Sequence, residues 1–184
     1  MKGSVRLRTR QLCARSREES GFGLIELLIA MTVMLVGIFA IFAMFESGIR
    51  QIRRASDVTT AAAIADSQME QIRAVKFSVI GLTSAAIGAA DPTYTGDTAY
   101  RAPGTNQPNQ AVTLGSSSYS PVQTITGADG RSYRVDTFIT WQSVQTGGGT
   151  PSIGRTIKLV TIVVRKGTTG MARIASAFEQ STGE

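Results

Sequence analysis

Glu26 is the only charged side chain in the stretch Gly21–Phe45, G-F-G-L-I-E-L-L-I-A-M-T-V-M-L-V-G-I-F-A-I-F-A-M-F. A carboxylate deep in a membrane-length apolar run costs roughly 2.5–3.5 kcal/mol on insertion scales. Anchoring does not require it, so the chemistry it points to is pairing with a cation. The other places where chemistry could sit are weaker. Gly149-Thr-Pro-Ser-Ile-Gly154-Arg155-Thr156 has the spacing of a phosphate-binding loop, with Arg in place of Lys. Such a loop needs a helix after it to meet the phosphate. Here Ile157, Thr161, Ile162, Val163 and Val164 come next, a β-branched pattern that favours a hairpin loop. Asp129-Gly130 has no run of oxygen ligands around it for calcium. Serines are numerous, but the chain has no histidine and no matched lysine, so no nucleophile–base pair can be named.

The composition bounds the function classes. The 184 residues allow one domain with appendages, and 42% hydrophobic against 17% charged residues is not a disordered composition. The net charge of +6 is unevenly placed. Lys2, Arg6, Arg8, Arg10, Arg15 and Arg17 precede the apolar run, against Glu18 and Glu19 only. The basic balance is thus mostly a targeting and topology signal. The single cysteine, Cys13, lies in the same leader, so no intrachain disulfide can staple the chain beyond Gly21.

Glu26 must be positioned by a helix. Counted from Phe22 to Phe45, the run spans about 36 Å at about 1.5 Å per residue, against a hydrocarbon core of about 30 Å. It is too long for the apolar region of an ordinary cleaved signal peptide. The excess of Lys and Arg before it places the N-terminus in the cytoplasm. Arg50, Arg53 and Arg54, on the far side, weaken that orientation without reversing it.

The hexapeptide G-F-G-L-I-E at Gly21–Glu26, after a basic leader and before an unbroken apolar run, resembles the processing motif of type IV prepilins, G-F-x-L-I-E. It departs at Gly23, where Thr or Ser is commoner, and in its longer leader. The resemblance implies that a prepilin peptidase cuts between Gly21 and Phe22, and that the new Phe22 terminus is N-methylated. It also implies that Glu26 neutralises the amino terminus of a neighbouring subunit in a bundle of packed helices. In low dielectric an α-ammonium and a carboxylate attract strongly, and either alone is penalised. Two other readings of Glu26 stay open: pairing with its own chain's Phe22 terminus, one helical turn away, and placement at headgroup level.

Beyond Phe45, Ala55, Val58, Ala62, Ala65, Met69 and Ile72 recur at spacings of three and four, predicting an amphipathic continuation of the helix to about Phe77. Arg53, Arg54, Asp57, Asp66, Glu70 and Arg73 are assigned mostly to its other faces. Gly37 and Gly48 are read as tolerated interior glycines. Residues 78–120, rich in glycine and proline, read as a variable linker. From Pro121 the chain reads as an antiparallel meander packed on the helix. Val122–Thr126, an Asp129-Gly130 turn, Tyr133–Gln142 and Arg155–Arg165 succeed one another, the last as a central strand covered on both sides. Gly167–Gly170 is expected to end the sheet, with Met171–Phe178 a short terminal piece and the last residues frayed. Trp141 is read as half-buried. Asp91, Asp97, Asp129 and Asp136 are read as turn and surface residues. Arg131, Arg134, Arg155, Lys158, Arg165, Lys166 and Arg173 are read as scattered surface cations rather than a DNA-binding surface.

These readings give an α+β chain: leader 1–21, membrane and filament-core helix 22–45, amphipathic helix 46–77, linker 78–120, and β-sheet with tail 121–184. The expected function is that of a non-catalytic minor pilin or pseudopilin without cofactor or metal. Ala61–Arg73 resembles the minor pilins of the pilus-modification type and the related minor pseudopilins, and the missing C-terminal cysteines lean away from major pilins. Glu26 argues against the tip pseudopilin, which typically lacks this carboxylate. Some pseudopilins bind calcium near the sheet, at a site this sequence does not disclose. The implied partners are a prepilin peptidase, other pilin or pseudopilin subunits, an inner-membrane assembly platform and membrane lipid, with nucleic acid ranked below them. The implied location is the cytoplasmic membrane, with an exported C-terminal domain, and then a pilus or pseudopilus. A pilus, a type II secretion system and a DNA-uptake apparatus fit equally. The first rival is a signal-anchored protein presenting an adhesin or sensor domain, which would be unchanged by substitution of Gly21. The second is an exported enzyme.

Overall fold

The computed structural model describes residues 23–104, 109–114, 119–144 and 152–180. It divides into two compact units, residues 1–48 and 49–184. Helix α1, Leu24–Arg73, contributes to both.

In the first unit the described residues after Gly23 are helical. The large apolar side chains from Leu24 to Phe45 all face outward, several of them more than 65% exposed. By length and composition α1 can cross a membrane. An apolar surface of this extent is stable only against lipid or other protein. Gly37 and Gly48 are both helical, and space is open around each.

The second unit is a four-stranded antiparallel meander, ordered β1 (Val122–Thr126), β2 (Ser132–Val144), β3 (Ser152–Lys166) and β4 (Thr169–Glu179). One face of the sheet packs on the C-terminal half of α1. Alternation sends Tyr133, Val135 and Ile139 of β2 and Val160, Ile162 and Val164 of β3 to that face, where they meet Ala61, Ala65, Met69 and Ile72. Full burial of each such Val or Ile is worth about 1.5–3 kcal/mol. Trp141 is half-buried against this core, and β3 is a central strand, both as its pattern predicts.

Several expectations are corrected. The sheet does not end at Gly170. Gly167, with φ +62°, turns the chain back, and Thr169–Glu179 pairs with β3 along its length. Glycine tolerates that backbone without a Cβ clash. The buried stripe of α1 is Asp57, Ala61, Ala65, Met69 and Ile72, while Ala55 and Val58 are exposed. The helix ends at Arg73, and Phe77–Val79 forms a 3₁₀ turn.

Residues 77–114 add to the core on both faces of the sheet. Ile80, Leu82, Ile87 and Val112 join the α1 side. Short helices α2 (Ser84–Gly88) and α3 (Pro92–Thr95) lead to the opposite face. There Tyr94 stacks on Phe138 with ring centroids 4.4 Å apart, and its hydroxyl donates to the Thr137 carbonyl at 2.8 Å.

Candidate functional site

Glu26 sits in the first turn of α1. Its backbone N–H and that of Leu27 donate to the Gly23 carbonyl, at 2.9 and 3.2 Å. A carboxylate in this position complements the positive end of the helix dipole. Its surroundings on the chain, Leu24, Ile25, Leu27 and Leu28, are exposed apolar side chains. The first turn thus presents one anion in an otherwise apolar exterior, and what it can bind there is a cation brought by another group. Gly21 and Phe22, the expected processing residues, lie outside the described residues.

The remaining candidates resolve into three structural clusters, and the reading of scattered surface charges is overturned for most of them. At the start of the sheet-packed part of α1, Asp57 accepts from Arg131 Nη1 and from Lys166 Nζ, both at 2.6 Å. The Tyr133 hydroxyl donates to Asp129 at 2.8 Å and lies 3.4 Å from Asp57. The Lys166 ammonium, seconded by Arg131, holds the Asp57 carboxyl below its ordinary range. Burial and the Asp129 carboxylate push the Tyr133 phenol up to about 12.

On the opposite face of the sheet, Arg134 and Arg165 stand directly across from each other on β2 and β3. Like charges so placed repel. Asp136, fully buried, takes one on each oxygen: Arg134 Nε at 2.6 Å and Arg165 Nε at 2.8 Å. The alternation continues outward. Arg134 also pairs with Asp91, and Arg165 with Asp97, which in turn takes Arg173 of β4 at 2.8 Å. Asp91 caps α3 by accepting from the Thr93 and Tyr94 N–H groups. Its carboxyl is lowered to about 2, chiefly by Arg134. Burial alone would raise the Asp97 carboxyl, but the Ala99 N–H and the two arginines outweigh that and lower it. Asp136 and Asp97 are therefore interior clamps. Of the four aspartates read as turn and surface residues, Asp91 and Asp129 keep turn roles.

Lys158 is the third case. It is 2% exposed, and its Nζ donates to the carbonyls of Phe77 and Ile80 at 2.6 and 2.7 Å. It lies over the rings of Phe77 and Trp141. Burial lowers its pKa to about 8. The signal for the Asp136 cluster lay in the alternation, since Arg134, Asp136 and Phe138 share one face, with Arg165 the register neighbour of Arg134.

Ser152–Thr156 is strand rather than helix, so the loop-then-helix geometry of a phosphate site is not built there; Gly149–Pro151 and the Arg155 side chain lie outside the described residues. Among the described residues no three His, Cys, Asp or Glu side chains gather in a metal-binding group. A shallow groove runs between α1 and edge strand β1, lined by Thr60, Ala63, Ile64, Ser67 and Ile125, without convergent charged groups.

Residues 16–42 match the family model of the prokaryotic N-terminal methylation motif. With the long apolar helix that begins inside it, the match supports a type IV pilin-like prepilin leader on this chain, and it implies processing by a prepilin peptidase and assembly with other pilin subunits. No curated protein and no solved structure matches the chain.

Proposed function

We propose that this chain, with its type IV pilin-like leader, is a non-catalytic structural subunit, a minor pilin or pseudopilin, of a pilus-like filament. The observation that carries the reading is the first turn of α1: one carboxylate, Glu26, in an exposed apolar helix inside the matched methylation motif. A prepilin peptidase cuts between Gly21 and Phe22 on the cytoplasmic side, and Phe22 is N-methylated. Residues 22–45 hold the precursor and the cut subunit in the membrane, with the head exported. On assembly the helix leaves lipid for a bundle of like helices, and Glu26 pairs there with the Phe22 ammonium of a neighbour. That pairing removes two charges that would each be costly alone in a dry interior. The absence of cysteine after Cys13 favours a minor subunit. The remaining partners are an inner-membrane assembly platform and membrane lipid.

The test is the intact mass and N-terminal sequence of the membrane-extracted protein. N-methylated Phe22 is expected. An intact Met1 terminus in cells with an active prepilin peptidase would overturn the reading in favour of a signal-anchored β-rich domain.

A further inference from the structure

Arg50, Arg53 and Arg54 lie where the proposed topology wants few cations, and neither the motif nor the core of the head uses them. Together with Asp57 they occupy positions i, i+3, i+4 and i+7 of α1, which is one face of a helix. Asp57 is the first residue of that helix to be buried against the sheet, where it holds Arg131 from the β1–β2 turn and Lys166 from the end of β3. The three arginines therefore continue the head-bearing flank of α1 for two turns before the sheet begins.

The charges of this flank are unequal in what they leave over. Asp57 is taken by Arg131 and Lys166, and Asp129 by Tyr133. Elsewhere Arg73 pairs with Glu70, and Arg134, Arg165 and Arg173 pair with aspartates. Arg53 and Arg54 are exposed and make no ion pair among the described residues. They lie eight and nine positions beyond Phe45, the last residue of the apolar run.

We propose that Arg53 and Arg54 form a docking surface for the anionic phospholipid headgroups of the bilayer that holds residues 22–45. This rests on the proposed function, in which the run ending at Phe45 is embedded in lipid. The headgroup layer adds roughly 5–8 Å beyond the hydrocarbon on each side. An anionic leaflet attracts cations within about one Debye length, about 8 Å, beyond that. The guanidinium fork matches a phosphodiester in two bonds. The flank of α1 that carries these arginines also carries Asp57, which is tied to the sheet through Arg131 and Lys166.

The test uses the full chain purified from cells with an active prepilin peptidase, its N-terminus fixed by mass. It is reconstituted in nanodiscs of equal phosphatidylcholine and phosphatidylglycerol, and the lipids retained on release are counted by native mass spectrometry. Phosphatidylglycerol is expected to be enriched. The enrichment falls about fivefold for each arginine lost in Arg53→Gln/Arg54→Gln, and falls less in Arg53→Lys/Arg54→Lys, which keeps the charge but not the fork. Thermal melts of the two variants that match the parent show that the fold is unchanged. Equal retention of the two lipids, or undiminished enrichment in the Gln variant, overturns the proposal. So does binding of a short DNA duplex that depends on these arginines when no lipid preference exists. Methylated Phe22 without lipid enrichment sinks the docking surface alone. An uncut terminus sinks the pilin-like reading, while lipid enrichment on that material still upholds the surface.

Discussion

Asp57 on α1 and Lys166 at the end of β3 are 109 residues apart in sequence and 2.6 Å apart in space. With Arg131 on the other carboxylate oxygen, they fasten the helix to two turns of the sheet at once. The Asp57 carboxyl titrates below its unfolded value. Its contribution is therefore present above about pH 4, the unfolded value, and is lost as the pH falls through the lower folded value. Asp57→Asn is expected to lower the Tm of the head at pH 7 and to narrow the gap from the parent at acid pH. A gap that stays constant with pH contradicts the assignment.

Asp136 separates two arginines that face each other across β2 and β3. Asp136→Ala leaves both guanidiniums, largely buried, without their shared anion. A loss of about 3 kcal/mol is expected in urea unfolding. The double change Asp136→Ala/Arg134→Met also removes the repulsion between Arg134 and Arg165, so it should lose less than the single one.

Lys158 is held by two carbonyls and two rings, and burial lowers its pKa to about 8. Its unfolded value is about 10.4. Between these values the unfolded chain binds more protons than the folded one, so stability should rise with pH from about 8 to about 10.4. Lys158→Met should abolish that rise. At pH 7 it should cost about 2 kcal/mol, because the Phe77 and Ile80 carbonyls lose their donor. Denaturant midpoints across that pH range measure both effects.

Gly127 lets the β1–β2 turn approach the helix. A Cβ placed there would lie 2.6 Å from Thr60 Cγ2 and 2.9 Å from Tyr133 Cε2. Gly127→Ala is expected to cost about 1–3 kcal/mol by overpacking. The same change at Gly170, where nothing lies within 4 Å, should be close to neutral. Paired thermal melts compare the two.

Glu26→Ala is expected to leave cleavage and methylation of Phe22 intact while removing the chain from sheared filament fractions. Glu26→Ala that assembles at parental levels would show that the carboxylate pairs elsewhere.

The membrane-length helix, the motif around Gly21–Glu26 and the strands β1 to β3 were legible because each rests on local order: an unbroken apolar run, a fixed hexapeptide, or a period-two alternation. The stripe of α1 is legible at Ala65, Met69 and Ile72 but out of phase before them, because Ala61, Ala62 and Ala63 carry nearly equal hydrophobicity and spacing alone does not say which of them faces the sheet. The pattern sends Asp57 to solvent, where a charge on an amphipathic helix usually lies, whereas the sheet supplies Arg131 and Lys166 to bury it. β4 is not legible because Gly167–Gly170 reads as a terminator, while the same glycine-rich stretch serves as a hairpin turn.

The sequence by itself therefore determined the N-terminal segment, an apolar helix long enough to cross a membrane, which needs no tertiary contact to be read. It also determined the fold class, through period and turn residues. Only the tertiary structure decided which charges are interior. Arg134, Asp136, Arg165 and Asp97 come from distant positions, and burial is tolerable for each only because the others arrive with it. It likewise decided where α1 gives way to the 3₁₀ turn, since the Phe77 and Ile80 carbonyls just past the helix find their donor in Lys158, some 80 residues downstream on β3.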